Sequence, residues 1–319
     1  MPEFPDLHGS GSGDKAVRGA VRRFSPSPGS ADLTPQDLRL LLAVAETGSF
    51  TAAAERLTLT QSAVSHAVRG AERRVGVVLF DRGRTGARPT PAGERALVHA
   101  RQILRQLELL VDESRAAAGG SVSGTVRVAA FRSAAVNLLP PALEALAARH
   151  PGITPQVLIV RELGRGTAGE VADGRADLAI ATLGEGTAPA PGLTAVELLQ
   201  ELYFLVRPAG RTDLAGLPLI DWAENCSSYT HAWWRAQDWL PSTRIDVEDD
   251  GVILAMVAQG IGYAILPKLT LPAPPQPGVD VVPLGECPPS RRLVAVTSPA
   301  TARSTAVREL IRQLRRHAG

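Results

Sequence analysis

A chain of 319 residues, of which 45% are hydrophobic, is long enough to form two or three domains with apolar cores. Its formal net charge of +2 excludes a basic field over the whole molecule, so any surface that binds nucleic acid must be local. Two cysteines, Cys226 and Cys287, cannot build a disulfide framework, and no stretch suits a membrane helix or a signal sequence, so we expect a cytoplasmic protein without a membrane partner.

Residues 1–32 are predicted to form a disordered tail. The segment consists of Gly, Ser, Pro and charged residues, which cannot bury enough apolar surface to fold. The first helix is predicted to start after Thr34, which can cap it, with Pro35 at its first position. Gly48 ends this helix.

Two further helices are predicted directly after the first. Ser49 can cap the helix Phe50–Leu57, and after the turn 58–60 the stretch "TQSAVSHAVR" opens a third helix that runs to about Val75. The third helix begins with short polar side chains and has only small apolar groups to bury. A tight turn between two such helices predicts a helix-turn-helix, about 50–69.

The segment after the third helix favours a DNA-binding surface. The loop "DRGRTGARPTPAG" is Gly- and Arg-rich and is predicted to form a two-stranded wing, which completes a domain over residues 33–90. From Ser65 to Arg95 the sequence has seven arginines and three acidic residues. This is the local basic patch that the net charge conceals.

A long helix is predicted over 91–118, followed by a hinge at 119–123. Its apolar residues step by three and four, which is typical of a coiled-coil seam between two copies of the chain. The predicted dimerisation residues are Leu97, Ala100, Leu104, Leu107 and Val111.

The remainder, 124–317, alternates strands and helices and predicts an α/β domain of two lobes. The first lobe is expected at about 124–195 with 297–317, and the second at about 196–296. A strand is predicted at Asp177–Thr182. Further on, Asp250 is expected to cap a helix that Gly260 closes, before a strand at Gly262–Leu266.

Together these segments resemble the LysR-type transcriptional regulators from about residue 33 to 317. The resemblance rests on a series of positions in the DNA-binding part. They are the Phe50–Leu57 segment, the Gln61 to Ser65 spacing, Glu72, Gly76, Leu79-Phe80, Arg82 and the final segment Thr90-Pro91-Ala92-Gly93. Behind the linker, "LLPPALEALAARHPGI", "DGRADLAI" and "VAQGIGYAILP" look like the effector-binding domain of that family. The resemblance implies an α+β multidomain protein with a winged helix-turn-helix, a long linker helix and a two-lobed domain like that of periplasmic binding proteins.

The third helix is then expected to enter a major groove. Gln61 suits adenine, while Ser62, Ser65 and His66 suit bases or phosphates. Arginines of the wing more often contact phosphate than base edges. The alternative is a solvated surface helix. The full set of candidate DNA-binding residues is Gln61, Ser62, Ser65, His66, Arg69, Arg82, Arg84 and Arg88.

An effector site is predicted where a strand meets a helix, at "AAFRSAAVN". Backbone amides there, with the Ser133 hydroxyl, suit a carboxylate or another anion, and Arg132 can add a positive charge. The alternative is an ordinary N-cap role for Ser133. Thr182, Ser227 and Ser228 are further candidates for the same site.

No catalytic residues, metal ligands or cofactor-binding motif are expected, since the histidines are scattered and no carboxylate or cysteine has the required spacing. The resemblance implies a transcriptional regulator controlled by a small-molecule effector, not an enzyme. Its expected partners are a promoter with an interrupted inverted repeat, the effector, further copies of itself in a dimer or tetramer, and RNA polymerase. The alternatives are a nucleoid-type DNA-binding protein without an effector and, less favoured, a solute-binding protein.

Overall fold

The structure is a computed structural model that describes residues 32–83, 86–184, 186–224 and 230–318. The predicted disordered tail lies outside the described residues, apart from Asp32. Three predicted site residues, Arg84, Ser227 and Ser228, also lie outside them.

The N-terminal domain contains three helices and a hairpin. These are α1 (Pro35–Thr47), α2 (Phe50–Leu57), α3 (Gln61–Val75), β1 (Phe80–Gly83) and β2 (Gly86–Pro89). The two strands pair antiparallel, which confirms the predicted wing. A core of small and medium apolar side chains from all three helices and the wing holds the domain together.

Local sequence signals set the helix ends of this domain. Thr34 and Asp37 form a reciprocal capping box at α1, and the side chains of Ser49 and Thr60 cap α2 and α3. Gly48 ends α1 with a positive φ of 64°. The three helices predicted here are therefore confirmed.

The linker helix α4 (Pro91–Ala117) has 27 residues and is capped by Thr90. A side chain at Gly93 would place its Cβ 2.0 Å from the carbonyl oxygen of Leu79, so the helix can pass this close to the wing only with glycine there. Strand β3 begins at Ser123, so the connection between α4 and the next domain is short.

The C-terminal domain alternates helices and strands, as predicted. Its helices are α5 (Arg132–Asn137), α6 (Leu139–Arg149), α7 (Gly166–Ala172), α8 (His231–Arg235), α9 (Ile253–Ala258) and α10 (Thr305–His317). Its strands are β3 (Ser123–Ala130), β4 (Gly152–Ile159), β5 (Leu178–Leu183), β6 (Thr194–Pro208), β7 (Leu219–Trp222), β8 (Arg244–Val247), β9 (Ala264–Pro267), β10 (Val279–Pro283) and β11 (Ser290–Thr297).

Strand β6 belongs to both lobes. Thr194–Leu202 pairs with β11 in the first lobe, whereas Tyr203–Val206 pairs with β9 in the second lobe. The strand therefore passes between the lobes at about residue 202, later than the boundary at 195 that the sequence suggested. β11 begins at Ser290, so the return to the first lobe comes earlier than the expected 297.

The predicted helix start at Asp250 is wrong by one residue. The side chain of Asp249 accepts a hydrogen bond from the Gly251 amide and caps a 3-10 turn, Asp250–Val252, which leads into α9. Asp250 instead lies within that turn, and its carboxylate faces Arg132 across the cleft described below. Gly260 follows α9 with a φ of 77°.

Candidate DNA-binding face and effector cleft

Helix α3 has one buried face and one polar face. Val64, Val68 and Ala71 lie in the core of the N-terminal domain. The exposed side chains on the other side are Gln61, Ser62, His66 and Arg69, which we call the recognition face. Four of the eight predicted DNA-binding residues are therefore together on one exposed surface.

Ser65 is buried and does not belong to this surface, which differs from the sequence prediction, whereas Arg82 is exposed but bonded to its neighbours. Ser65 is only 9% exposed, and its hydroxyl accepts a hydrogen bond of 3.0 Å from Nη1 of Arg82. The Arg82 guanidinium also lies 4.6 Å from the centre of the Phe50 ring and 3.6 Å from the Glu72 carboxylate. Arg82 thus connects the wing to α2 and α3.

Glu72 is a structural residue that sequence reasoning noted only as part of the family pattern. Its Oε1 accepts hydrogen bonds from the backbone amides of Leu79, at 3.0 Å, and Phe80, at 3.2 Å. These contacts fix the start of the wing against the end of α3. Arg88 is exposed on β2, where it can reach a ligand.

The linker helix divides the predicted dimerisation residues into two groups. Leu97 and Ala100 are buried within the chain itself, and Leu97 belongs to the core of the N-terminal domain. Leu104 is half-buried. For Leu97 and Ala100 the prediction of a contact with a second copy is therefore wrong, because α1 packs against the start of α4.

The exposed apolar surface of α4 lies further along the helix. Leu110 is 65% exposed, and its apolar neighbours are also open to solvent. We call this surface the linker strip: Ile103, Leu107, Leu110 and Val111. Ile103 and Leu110 were missed, although their spacing with Leu107 follows the same helical period.

The predicted effector residues lie at one edge of the first-lobe sheet. β4, β3 and β5 are parallel neighbours, so their carboxyl ends share that edge. Ser133 follows β3 and Thr182 is near the end of β5; Arg161, which is not among the predicted effector residues, follows β4 at the same edge. Residues of the second lobe face this edge across a cleft.

Ser133 is the second residue of α5 and is 5% exposed. The N-cap position belongs to Phe131, and no side chain caps the helix, so the alternative of Ser133 as an N-cap is wrong. Its hydroxyl makes no hydrogen bond to a described residue. This buried hydroxyl is therefore available to a ligand.

Ion pairs join the two lobes across the cleft. Arg132 contacts Asp249 at 2.9 Å and Asp250 at 3.4 Å, and Arg161 contacts Glu224 at 2.8 Å. Burial raises the pKa of the Asp250 carboxyl above its usual range; Arg132 opposes that shift, and Asp249 and Glu224 add to it. The second lobe thus presents acidic groups to the arginines of the first.

Thr182 already binds a carboxylate of the same chain. Its backbone amide and its hydroxyl donate to Oε1 of Glu162 at 2.8 and 3.2 Å, and the amide of Thr167 donates to Oε2 at 2.9 Å. Sequence reasoning missed Glu162. The geometry shows that donors at this edge are arranged to hold a carboxylate.

The described residues contain neither a metal site nor a membrane-spanning helix. No group of three or more His, Cys, Asp or Glu side chains among them is arranged to hold a metal ion. None of the helices in this part of the chain has the length and apolar character needed to cross a bilayer.

The fold and these two surfaces define a class: a DNA-binding domain joined by a long helix to a two-lobed ligand-binding domain. Comparison with known families agrees. Residues 35–94 match the bacterial regulatory helix-turn-helix proteins of the LysR family, and residues 119–319 match the LysR substrate binding domain. The chain therefore belongs to the LysR family. It is a DNA-binding transcriptional regulator whose activity is controlled by a small-molecule effector.

Individual relatives support the same assignment. The chain is 34% identical, over 83% of its length and 90% of the relative's, to the probable HTH-type transcriptional regulator LrrA of Synechococcus elongatus. Its fold is similar to that of full-length OxyR from Pseudomonas aeruginosa, with a TM-score of 0.69 and 21% identity over 89% of this chain and 95% of that one. It is also similar to full-length CbnR in complex with its target DNA, with a TM-score of 0.62 and 23% identity over 89% of this chain and all of that one.

Proposed function

We propose that the recognition face enters the major groove of a promoter and that the wing contacts the neighbouring backbone. The observation that carries this proposal is the exposed polar side of α3 opposite its buried face. The Gln61 amide can bridge an adenine, and Ser62 and His66 can reach bases or phosphates. Arg69 and Arg88 supply phosphate contacts, and Arg84 is a further candidate on sequence grounds.

The proposed target is an interrupted inverted repeat. Two chains that pair through the linker strip present two recognition helices related by a twofold axis, so each reads one half-site. A tetramer would be formed from two such dimers. RNA polymerase is the partner we propose for the DNA-bound regulator, which acts in the cytoplasm and has no catalytic role.

The effector is proposed to bind in the cleft at Ser133 and Arg132, and at Thr182, where it would replace the Glu162 carboxylate. Its anionic group would take the Ser133 hydroxyl and displace a carboxylate from Arg132. The effector is also proposed to carry a cationic group. When its anionic group takes Arg132, the carboxylates of Asp249 and Asp250 lose their partner and can bind that cation. A small zwitterion fits both requirements. Ser227 and Ser228 remain candidates from the sequence.

DNA titrations with two variants test the proposed face. The operator is first identified by sequencing DNA captured by the purified protein. Gln61→Ala should weaken binding to the operator by about 1–3 kcal/mol and leave a scrambled duplex nearly unaffected. Arg88→Ala should weaken both duplexes and make the salt dependence shallower by about one unit. Equal losses on both duplexes for Gln61→Ala would contradict its role as a base reader.

Thermal unfolding with a panel of small zwitterions, anions and cations tests the cleft. A true effector raises the melting temperature, because it binds only the folded state. Ser133→Ala should weaken that response by about 1–2 kcal/mol of binding. Operator affinity without effector should stay unchanged. A response of the same size in the variant would exclude Ser133 from the site.

A further inference from the structure

A groove of about 580 Å³ lies on the outside of the first lobe, away from the cleft and the recognition face. One wall is α10, and the other is formed by the paired strands β6 and β11 and the turn that follows β11. We call it the arginine groove. Its lining includes Val196, Arg308, Ile311, Arg312, Arg315 and Arg316.

Four exposed arginines form the rim of this groove. Arg308, Arg312, Arg315 and Arg316 fall on one side of α10, because a helix has about 3.6 residues per turn, and they span about 12 Å. Arg312 is paired with Glu309. Arg315 and Arg316 form no ion pair with any residue that the structure describes. The rim therefore carries positive charge that no described residue neutralises.

The requirements of the helix explain only part of this charge. Arg315 and Arg316 are in the last turn, where cations interact favourably with the helix dipole. Arg308 is near the start of α10, where a cation is unfavourable. Glu309 pairs with Arg312, and Arg308 donates only to Oγ1 of Thr305, so no described carboxylate contacts Arg308 directly. The stability of α10 thus does not account for a continuous row of arginines.

The floor of the groove is apolar. Val196 is 38% exposed, and Ala302 and Ile311 are half-buried. A DNA backbone needs the cationic rim alone, whereas an acidic amphipathic helix uses both the rim and the floor. The chain's own residues 1–31 carry four basic and three acidic side chains, so their charge is not complementary to the rim.

From this combination we infer that the arginine groove is a docking site for an acidic amphipathic helix of a partner protein. Carboxylates of the partner contact Arg308, Arg315 and Arg316, while its apolar side chains cover Val196 and Ile311. This function goes beyond the binding of DNA and effector. It gives the regulator a protein contact on a surface that neither of those ligands occupies.

The test measures binding of a synthetic peptide to the full chain by fluorescence anisotropy. The peptide is labelled with fluorescein and is designed as a helix with glutamates on one face and leucines on the other. Arg315→Gln with Arg316→Gln should weaken peptide binding on the order of ten-fold. Val196→Ser should weaken it by about five-fold, because it removes apolar contact and leaves the charge unchanged. The matched control, Arg211→Gln with Arg235→Gln, removes two exposed arginines of the second lobe and should have no effect.

A random-sequence duplex and light scattering separate this proposal from its rivals. The rim variant should bind the duplex as the wild type does and keep its oligomeric state. Weaker duplex binding with unchanged peptide binding would make the groove a DNA surface. A changed oligomeric state would make it a contact between copies. Failure of the wild type to bind the peptide, or an equal loss in the control variant, would overturn the proposal.

Discussion

Arg82 and Arg88 belong to the same hairpin, yet their side chains leave it on opposite faces. In the register of β1 and β2, Arg82 is opposite Ala87 and Asp81 is opposite Arg88. Ala87 is buried, so Arg82 shares the inner face and contacts Ser65. The pairing of the two strands places these arginines on opposite faces of the hairpin. The sequence analysis predicted the two strands but grouped both arginines as DNA contacts.

The different positions of these arginines lead to different mutant phenotypes. Arg82→Ala should lower the free energy of unfolding of the N-terminal domain by about 1–2 kcal/mol, since it removes the hydrogen bond to Ser65 and the contact with Phe50. Arg88→Ala should change that free energy by less than about 0.5 kcal/mol. Urea denaturation measures both. An Arg82→Ala protein of wild-type stability that binds every duplex more weakly would return Arg82 to the role of phosphate contact.

At the scale of elements, the linker helix is tied to its own effector domain by buried charge. Arg105 is 7% exposed and Asp177 is 1% exposed, and Nε of Arg105 donates to Asp177 at 2.6 Å. Arg105 also donates to the carbonyl oxygen of Thr125 at 2.9 Å. Asp177 immediately precedes β5, the strand whose other end carries Thr182 at the cleft. One strand thus connects the linker contact to the effector site.

Breaking this pair on one side should be more costly than replacing both partners. Arg105→Met leaves the buried Asp177 carboxylate with only the Arg127 amide at 2.8 Å and the Arg127 guanidinium at 4.0 Å, and should cost about 3 kcal/mol of stability. The double variant Arg105→Met with Asp177→Leu should recover much of that loss. Arg115→Met, at an exposed position of the same helix, is the control. Denaturation of the wild type, Arg105→Met, Asp177→Leu and the double variant completes a double-mutant cycle, and additive losses would refute the coupling.

At the scale of the whole molecule, the linker strip is apolar surface of α4 that the described residues leave uncovered. Leu107→Glu with Leu110→Glu should convert the oligomer to monomers, because two carboxylates would be buried in the proposed interface. Gln106→Glu adds a charge to the same helix without changing the strip and should leave the oligomer intact. Light scattering gives the mass of each protein. A dimer that survives the double change would place the interface elsewhere.

Much of this architecture could be predicted because its signals are local. The caps Thr34 and Ser49 and the stop at Gly48 act within one or two helical turns, and the structure has all three. The two-lobed α/β domain followed from the alternation of strands and helices. The order of segments identified the family without any tertiary information.

Only the tertiary structure decided which polar and apolar groups remain available to contact DNA, an effector or a second copy of the chain. Ser65 looks like a base reader in sequence, but Arg82, 17 residues further on, occupies its hydroxyl. Leu97 fits the coiled-coil period, but it is buried in the core of the N-terminal domain and cannot contact a second copy. Glu162 and Thr182 are 20 residues apart and meet at the cleft. A sequence determines what each residue can do over a few positions; which partner it meets depends on contacts between distant segments, and these exist only after the chain has folded.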